Sequence, residues 1–449
     1  MGRDLKLALV LAVTLIAVTA AWARPQRAMA EGCAFPFVPT SYEDLEDRKL
    51  FIDTIELAAF DMLFPGDPYF GLGEIEVGPR EDRHLEPARV PPVLLKSIAW
   101  IESAITQAGT LIPFGSIGPA LVSFDCGHGV TQVTTGMTVP EGEVGRGSPE
   151  QALVATHFAY NIARGARVLV DKWNKAPEER PIAGTDTIGH PAVLENWYFA
   201  VWSYNGFTGP GATRSNHPMD PIYGVWPRQP YSCAPKEDGL GHNRALYPYQ
   251  ELVFGCAAHP PEIDGEPLWA AQPITLPDLN DREIGSRLQL NNFIFPYADM
   301  DIPTPKPFHV DLTPQPDAAL RDRILGNPVL ATHADAIEIP SSPDGSAAAY
   351  LHVFNTGSGV LAWYAVASVP WITITPYTGV AVGLDMPCAP DVPCDRFGHM
   401  AVKVDPRTAP PGPKTAQVFV YALGLPQVSV VNVSVGGGIA AGTSARGPN

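Results

Sequence analysis

The sequence predicts a multidomain α plus β protein, in which a mostly α-helical domain precedes an antiparallel β-sandwich. Residues 91–258 carry apolar residues at helical spacing, whereas residues 331–436 consist of short alternating runs separated by Gly, Pro and Asn. Residues 259–330 carry prolines every few residues, which is typical of a linker or of extended surface segments. The chain has 449 residues, of which 45% are hydrophobic and 17% charged, and this composition indicates two or three globular domains.

Residues 1–30 are expected to be a cleaved signal peptide. Arg3 and Lys6 form a short basic segment before an apolar run over residues 7–23, and residues 21–23 and 28–30 both provide a small-x-small cleavage pattern. A membrane anchor is the alternative, because the run approaches the length that spans a bilayer. We therefore expect an exported protein that is extracellular or associated with the cell envelope.

The six cysteines agree with export, because an even number of cysteines in an oxidising compartment indicates disulfides. The last two bracket a Pro-rich loop and should pair with each other, while the pairing of the other four is a weaker inference. The expected pairs are Cys388–Cys394, Cys233–Cys256 and Cys33–Cys126. No Cys-x-x-Cys motif is present, so the sequence predicts no metal site, and no motif indicates a cofactor.

The formal net charge of −17 argues against a polyanionic partner. Nucleic acids and anionic membrane surfaces attract basic patches, and no basic run interleaved with aromatic residues occurs in this chain. The sequence therefore predicts no nucleic-acid partner.

Residues 31–90 form a lead-in that is expected to pack on the domain that follows. Residues 50–60 are amphipathic and predict a helix, whereas the rest is rich in Gly/Pro turns. No chemistry is assigned to this segment.

The helical domain begins with a helix that ends in a carboxylate. Prolines at positions 91–92 suit the first turn of a helix, where a missing N–H costs nothing. Leu94, Ile98 and Ile101 recur at helical spacing and predict a buried stripe, and Glu102 follows it directly. An apolar wall disfavours the charged form of a carboxyl, as a general acid near neutral pH requires. The alternative is that Glu102 is a solvated helix residue.

Three further helices are expected in this domain. Amphipathic spacing predicts one long helix over residues 149–173 and another over residues 195–206, which a Gly-rich stretch ends. A final short helix is expected over residues 247–254.

The C-terminal domain is expected to contain at least five strands, followed by a disordered tail over residues 437–449. The clearest alternating runs are residues 350–354, 361–366, 371–375, 399–404 and 417–421.

Five short motifs follow one another in the helical domain. A helix that ends in Glu-Ser is followed by a Ser-to-Gln segment, an Asn-Ile-x-x-Gly helix, a Tyr-Asn helix end and a closing Tyr-x-x-x-Val helix. The residues that carry them are Glu102 and Ser103; Ser123, Gly129 and Gln132; Asn161, Ile162 and Gly165; Ala200, Tyr204 and Asn205; and Tyr249 and Val253.

In this order, the motifs resemble those of lytic transglycosylases of the soluble-lytic-transglycosylase type, within the goose-type lysozyme-like superfamily. The resemblance implies a lysozyme-like fold for residues 91–258 and peptidoglycan glycan strands as the partner. It also implies cleavage of the MurNAc-GlcNAc β-1,4 bond by Glu102 acting alone as acid and then base, which leaves 1,6-anhydromuramic ends. The substrate-binding residues that it implies are Ser103, Ser123, Gly129, Gln132, Tyr204 and Asn205, whereas Asn161 and Gly165 are interpreted as structural.

The chain also departs from the family pattern. Cys126 stands where the first Gly of the second motif is usual, and Ser203 and Phe207 replace small residues of the fourth. Asp125 is a nearby carboxylate that could activate water, which would make the protein a lysozyme-type hydrolase, although a loop residue bonded within its own turn is the more ordinary interpretation. A non-catalytic cell-wall or carbohydrate-binding protein is the third hypothesis.

The predicted β-sandwich resembles a BACON-type immunoglobulin-like module. The resemblance rests on an Asn-x-Gly strand entry at residues 355–363 and on the Trp-Ile-Thr-Ile-Thr-Pro-x-x-Gly run at residues 371–379. It implies a second partner, another carbohydrate bound through this module. A spacer that holds the enzyme away from its anchor is the alternative.

Overall fold

The computed structural model describes residues 32–79, 82–139, 146–175, 189–208, 215–282, 303–340, 342, 347–390 and 394–436. These residues form helices and several sheets, so the mixed α and β architecture is confirmed in this coarse form. The expected signal peptide and C-terminal tail lie outside the described residues. Within the described ranges, no helix combines the length and the apolar character needed to cross a bilayer.

Seven α-helices occur in the described part of the chain. They are α1 (Lys49–Ala59), α2 (Pro92–Ser103), α3 (Pro149–Thr156), α4 (Phe158–Asn174), α5 (Tyr198–Tyr204), α6 (Tyr249–Ala258) and α7 (Ala319–Leu325).

The first strands form small two-stranded pairs, and the later ones form two larger sheets. The small pairs use β1 (Thr40–Tyr42), β2 (Glu74–Val77), β3 (His84–Pro87), β4 (Ile117–Pro119), β5 (Glu262–Ile263) and β6 (Glu266–Pro267). The larger sheets use β7 (Leu330–Thr332), β8 (Ala336–Ile339), β9 (Ala348–Asn355), β10 (Val360–Ala367), β11 (Ile372–Thr375), β12 (Thr378–Val382), β13 (Gly398–Val404), β14 (Lys414–Ala422) and β15 (Val428–Val435).

The lead-in packs against the helical domain. Helix α1 lies against α2 and α4, and its Phe51 ring is 4.8 Å from that of Phe158. Strand β1 also pairs with β4, which follows α2 in the chain. The lead-in and the helical domain therefore share one apolar core.

The prediction of a single helix over residues 149–173 is wrong. Two helices, α3 and α4, occupy this range and meet at His157. His157 has extended backbone angles (φ −116°, ψ 116°), and its ring nitrogen Nδ1 accepts a hydrogen bond from the Ala159 N–H at 3.2 Å. Burial lowers the pKa of His157 to about 4, so the neutral imidazole can accept this bond. A side-chain cap has replaced one turn of helical hydrogen bonding.

The C-terminal strands form a five-stranded sheet, in the order β12-β10-β14-β15-β8, and a four-stranded sheet, in the order β11-β13-β9-β7. Strand residues alternate between buried and accessible, as in β13 and β14, and the buried ones form a core between the sheets. The pairs are antiparallel except β8 with β15, which is parallel. The antiparallel expectation is therefore wrong for this one edge.

The two-sheet domain lies directly against the helical domain. The Tyr364 hydroxyl donates to the Gly147 carbonyl at 2.9 Å, and the Gly147 N–H donates to the Tyr377 hydroxyl at 3.0 Å. The Arg146 guanidinium lies 4.2 Å from the centre of the Tyr377 ring. The domains are thus in contact rather than separated by the proline-rich segment.

The described parts of the proline-rich segment also pack on the helical domain. The Thr304 hydroxyl donates to the Asn196 side chain at 2.8 Å, and Arg323 of α7 forms a 2.7 Å ion pair with Asp53 of α1. These contacts agree with segments that pack on the surface, although residues 319–325 form a helix rather than an extended run.

The three expected disulfides are confirmed, namely Cys33–Cys126, Cys233–Cys256 and Cys388–Cys394. Their Cα–Cα distances of 5.5, 4.9 and 6.1 Å lie within the usual range. Disulfides are typical of oxidising compartments, so they are consistent with export.

Replacing Gly165 with Ala tests the packing of α4. A Cβ atom at Gly165 would lie 2.5 Å from Cβ of Thr131, so the helix and the loop would have to separate. Overpacking costs about 1–3 kcal/mol, and better helix propensity returns about 1 kcal/mol. We expect the free energy of unfolding in urea to fall by up to about 2 kcal/mol.

Gly109→Ala is the matched control, because the nearest atom to its new Cβ would be the Pro119 carbonyl oxygen at 3.5 Å. A Gly165→Ala variant as stable as Gly109→Ala would contradict the tight packing.

Candidate active site

A cleft of about 980 Å³ opens in the helical domain. Helices α2, α5 and α6 contribute to its wall, together with the loops around residues 123–134, 215–223 and 244–247. The lining residues used below are Glu102, Ser123, Phe124, Asp125, Gln132, Tyr204, Asn205, Asn216, Ile222, Arg244 and Tyr249.

Glu102 lies in the last turn of α2 and is half-buried at the cleft wall. The Tyr249 hydroxyl donates to Glu102 Oε1 at 2.6 Å. Burial raises the pKa of Glu102 to about 7, and the negative charge of Asp125 acts in the same direction. Hydrogen bonds from Tyr249 and Asn205 and the positive charge of Arg244 oppose this rise. Glu102 therefore exchanges a proton near neutral pH.

Tyr249 is the first residue of α6, which packs along α2. Burial raises the pKa of Tyr249 well above its usual value, and the neighbouring Glu102 charge raises it further. The phenol therefore remains protonated and donates to the carboxylate form of Glu102. The closing motif of the sequence included Tyr249, but the predicted site did not.

Asn205 follows α5 and lies at the cleft surface. The Asn216 side-chain amide donates to Asn205 Oδ1 at 2.7 Å. Because its oxygen is occupied, Asn205 presents its own NH₂ group to Glu102, in agreement with its effect on the Glu102 pKa. Asn216 lies in a loop without periodic pattern, so no local signal marks its role.

Tyr204 and Gln132 both line the cleft but also stabilise its wall. The Tyr204 hydroxyl donates to the Thr131 carbonyl at 2.8 Å. Gln132 Nε2 donates to the Gly129 carbonyl at 2.8 Å, which closes a turn around the left-handed Gln132 backbone (φ 46°). Each residue thus fixes the loop from which a substrate would be bound.

Gly129 and Ser103, two of the predicted binding residues, do not line the cleft. A Cβ atom at Gly129 (φ 66°) would lie 2.7 Å from Asn161 Nδ2, so only glycine fits there. The Ser103 hydroxyl donates to the Val130 carbonyl at 2.7 Å and faces the protein interior. Their role in this structure is to hold the 128–133 segment against α2.

Asn161 of α4 stabilises the fold, in agreement with its interpretation as a structural residue. It is fully buried, its Oδ1 accepts from the Thr131 N–H at 3.0 Å, and its Nδ2 donates to the His128 carbonyl at 2.7 Å. These bonds fix the backbone that carries Gln132 and the acceptor of Tyr204.

Ser123 and Asp125 lie together in a loop that lines the cleft. The Ser123 hydroxyl donates to Asp125 Oδ1 at 2.5 Å and accepts from the Gly127 N–H at 2.8 Å. Asp125 is exposed, and it is the only carboxylate besides Glu102 among the described residues that line the cleft. Cys126 follows it and joins this loop to Cys33.

The cleft has three further lining residues that no sequence motif marks, namely Arg244, Phe124 and Ile222. Arg244 donates to the Ile101 carbonyl at 2.8 Å, which satisfies a carbonyl at the C-terminal end of α2. Phe124 and Ile222 are apolar side chains with exposed fractions of 80% and 59%. Phe124 lies in a loop, and Ile222 and Arg244 lie in three-residue 3-10 helices (Pro221–Tyr223 and Arg244–Leu246), segments too short for periodicity to mark a functional residue.

In the part of the chain that the structure describes, no group of three or more His, Cys, Asp or Glu residues is arranged to hold a metal ion.

Comparisons with known proteins give no family for this chain. No family model matches it, and no curated protein matches it significantly. Among solved structures, the periplasmic chaperone SfaE is 14% identical over 25% of this chain and 60% of its own, with a TM-score of 0.20. A PapD-like domain of human CEP192 is 12% identical over 25% and 87%, with a TM-score of 0.18.

A family 123 glycoside hydrolase from Clostridium perfringens is 11% identical over 22% of this chain and 22% of its own, with a TM-score of 0.17. Similarities this low carry no argument about the fold or the function of the chain.

The electrostatics of Glu102 can be tested by carboxyl ¹³C NMR titration, with the signal assigned by its loss in Glu102→Gln. We expect a Glu102 pKa near 7. Asp125→Asn should lower this pKa by removing a negative charge, whereas Tyr249→Phe should raise it by removing a donor to the carboxylate.

Asp322→Asn, a change at a highly exposed side chain of α7, serves as the control and should leave the Glu102 pKa unchanged. A pKa near 4.5 in the unsubstituted protein would show that Glu102 is solvated.

Proposed function

We propose that the protein is an exported peptidoglycan lytic transglycosylase that cleaves the MurNAc-GlcNAc β-1,4 bond with Glu102 as acid and base. The observation that carries this proposal is one half-buried carboxyl, bonded by the Tyr249 hydroxyl, at the wall of a cleft large enough for saccharide units. Burial at this position raises the pKa of Glu102. The ordered sequence motifs around it support the same reaction.

In the first half of the reaction, Glu102 acts as the general acid. A pKa near 7 leaves a large protonated fraction at neutral pH. The Glu102 proton passes to the glycosidic oxygen as the bond from that oxygen to C1 of the muramic residue breaks. The resulting carboxylate is stabilised by the Tyr249 hydroxyl and by the Asn205 amide.

In the second half, the Glu102 carboxylate acts as the base. It removes the proton from the C6 hydroxyl of the same muramic residue, and the oxygen forms a bond to C1. This step restores the Glu102 acid and leaves a 1,6-anhydromuramic end without consuming water. One carboxylate is enough for this sequence, whereas a hydrolase usually employs two.

A lysozyme-type hydrolase is the second candidate, because Asp125 lines the same cleft. In that reaction Asp125 would activate water and the product would have a reducing end. The Ser123 hydroxyl already donates to Asp125, so one of its oxygens is engaged within the loop. This contact favours transglycosylation.

The products released from purified sacculi distinguish these functions by mass spectrometry. We expect anhydro ends from the unsubstituted protein, and Glu102→Gln should reduce release at least about 100-fold, because the amide cannot transfer the proton. Asp125→Asn is the matched amide substitution and should retain anhydro products.

Reducing ends that disappear in Asp125→Asn would support the hydrolase instead. No release by the unsubstituted protein would support a non-catalytic cell-wall-binding protein.

A further inference from the structure

The chain that follows Glu102 leaves α2 through two strained residues. Ala104 and Ile105 both have a φ of 55°, in the left-handed region. A non-glycine residue is uncommon there, and the β-branched Ile105 is an especially unusual occupant. Such a turn persists only when other contacts fix it. Because it begins two residues after Glu102, its geometry helps determine where the carboxyl points.

Glu43, in the segment between β1 and α1, holds the chain directly after this turn. Its Oε2 accepts hydrogen bonds from the Gln107 N–H at 3.0 Å and the Ala108 N–H at 2.8 Å. Its Oε1 is paired with Arg48. Glu43 is 1% exposed, so these bonds form away from water and each is difficult to replace.

The same contacts continue back to α2. Gln107 Oε1 accepts from the Val130 N–H at 3.1 Å, and the Val130 carbonyl accepts from the Ser103 hydroxyl at 2.7 Å. The Ser103 hydroxyl also accepts from the Thr106 N–H at 3.0 Å. A closed set of hydrogen bonds therefore runs from Glu43 to the residue next to Glu102.

We propose that Glu43 is a positioning residue for Glu102, because its carboxylate fixes the left-handed turn that directs Glu102 into the cleft. This inference deepens the proposed function and rests on it for any effect on turnover. The effect on the environment of Glu102 does not depend on what the substrate is.

The negative charge of Glu43 is the feature that the two amides and Arg48 require. A carboxylate can accept all of these donors, whereas a Gln side chain would turn its NH₂ group towards some of them. Burial raises the pKa of Glu43, whereas the Arg48 charge and the two amide donors stabilise its carboxylate and oppose that rise. Glu43→Gln removes these carboxylate contacts with little change in side-chain volume.

Glu56→Gln is the matched control. Glu56 of α1 forms an ion pair with Lys96 of α2, at 2.5 Å between Oε1 and Nζ. The substitution breaks a carboxylate contact to α2 at Lys96, six positions before Glu102. It should cost stability without altering the turn after Ser103.

The experiment is a ¹³C NMR titration of Glu102 in the full chain, together with thermal unfolding and muropeptide release for each variant. In Glu43→Gln, we expect the Glu102 pKa to fall towards 4.5, because a misdirected carboxyl enters water. We also expect kcat to fall about tenfold or more with little change in KM. Glu56→Gln should retain the pKa near 7 and kcat.

An unchanged Glu102 pKa in folded Glu43→Gln would overturn the inference, whatever its melting temperature. If Glu43→Gln does not fold, Glu43→Asp takes its place, because it keeps the charge but shortens the side chain. Glu43→Asp should then lower the Glu102 pKa. An unchanged Glu102 pKa in Glu43→Asp would also overturn the inference. An unsubstituted protein that releases no muropeptides would defeat the proposed function, but the titration would still decide the role of Glu43.

Discussion

The packing of α6 along α2 determines the environment of Glu102. It brings Tyr249 to 2.6 Å from Glu102 and removes much of the solvent around that carboxyl. A carboxyl that is desolvated but retains one strong donor can be both an acid and a stable carboxylate near neutral pH. Other contacts in the helical domain hold these two side chains in this arrangement.

The arrangement of Tyr249 and Glu102 depends on contacts from distant parts of the chain. Asn161 of α4 fixes the 128–133 loop from inside the core, and Tyr204 of α5 bonds to the same loop from the cleft. Glu43, in the lead-in, accepts hydrogen bonds from the Gln107 and Ala108 N–H groups that follow α2. The cleft is therefore a product of the whole helical unit rather than of one motif.

Much of the fold could be predicted because its signals are local. The paired prolines and the apolar stripe define α2, and alternating runs define the long strands β9 and β14, whereas β10 is an apolar run that is buried along most of its length. Glu102 could be selected because it follows a buried stripe and begins an ordered series of motifs. The disulfide between Cys388 and Cys394 was predictable from their closeness in sequence.

Other features depend on tertiary contacts that no local pattern encodes. The helix break at His157 depends on a buried, neutral imidazole, and the parallel pairing of β8 depends on the approach of β15. Asn216 has a role only because the fold brings it to Asn205. Ser103 matched a motif, yet its hydroxyl bonds to a backbone carbonyl in the interior.

The pH dependence of kcat on purified sacculi tests most directly whether Glu102 is the acid at neutral pH. The folded structure raises the Glu102 pKa to about 7, so the acid form predominates below that pH and is lost above it. We predict that kcat begins to decrease near pH 7 and falls by about tenfold per pH unit above it. A kcat that remains constant up to pH 9 would contradict the assignment of Glu102 as the general acid.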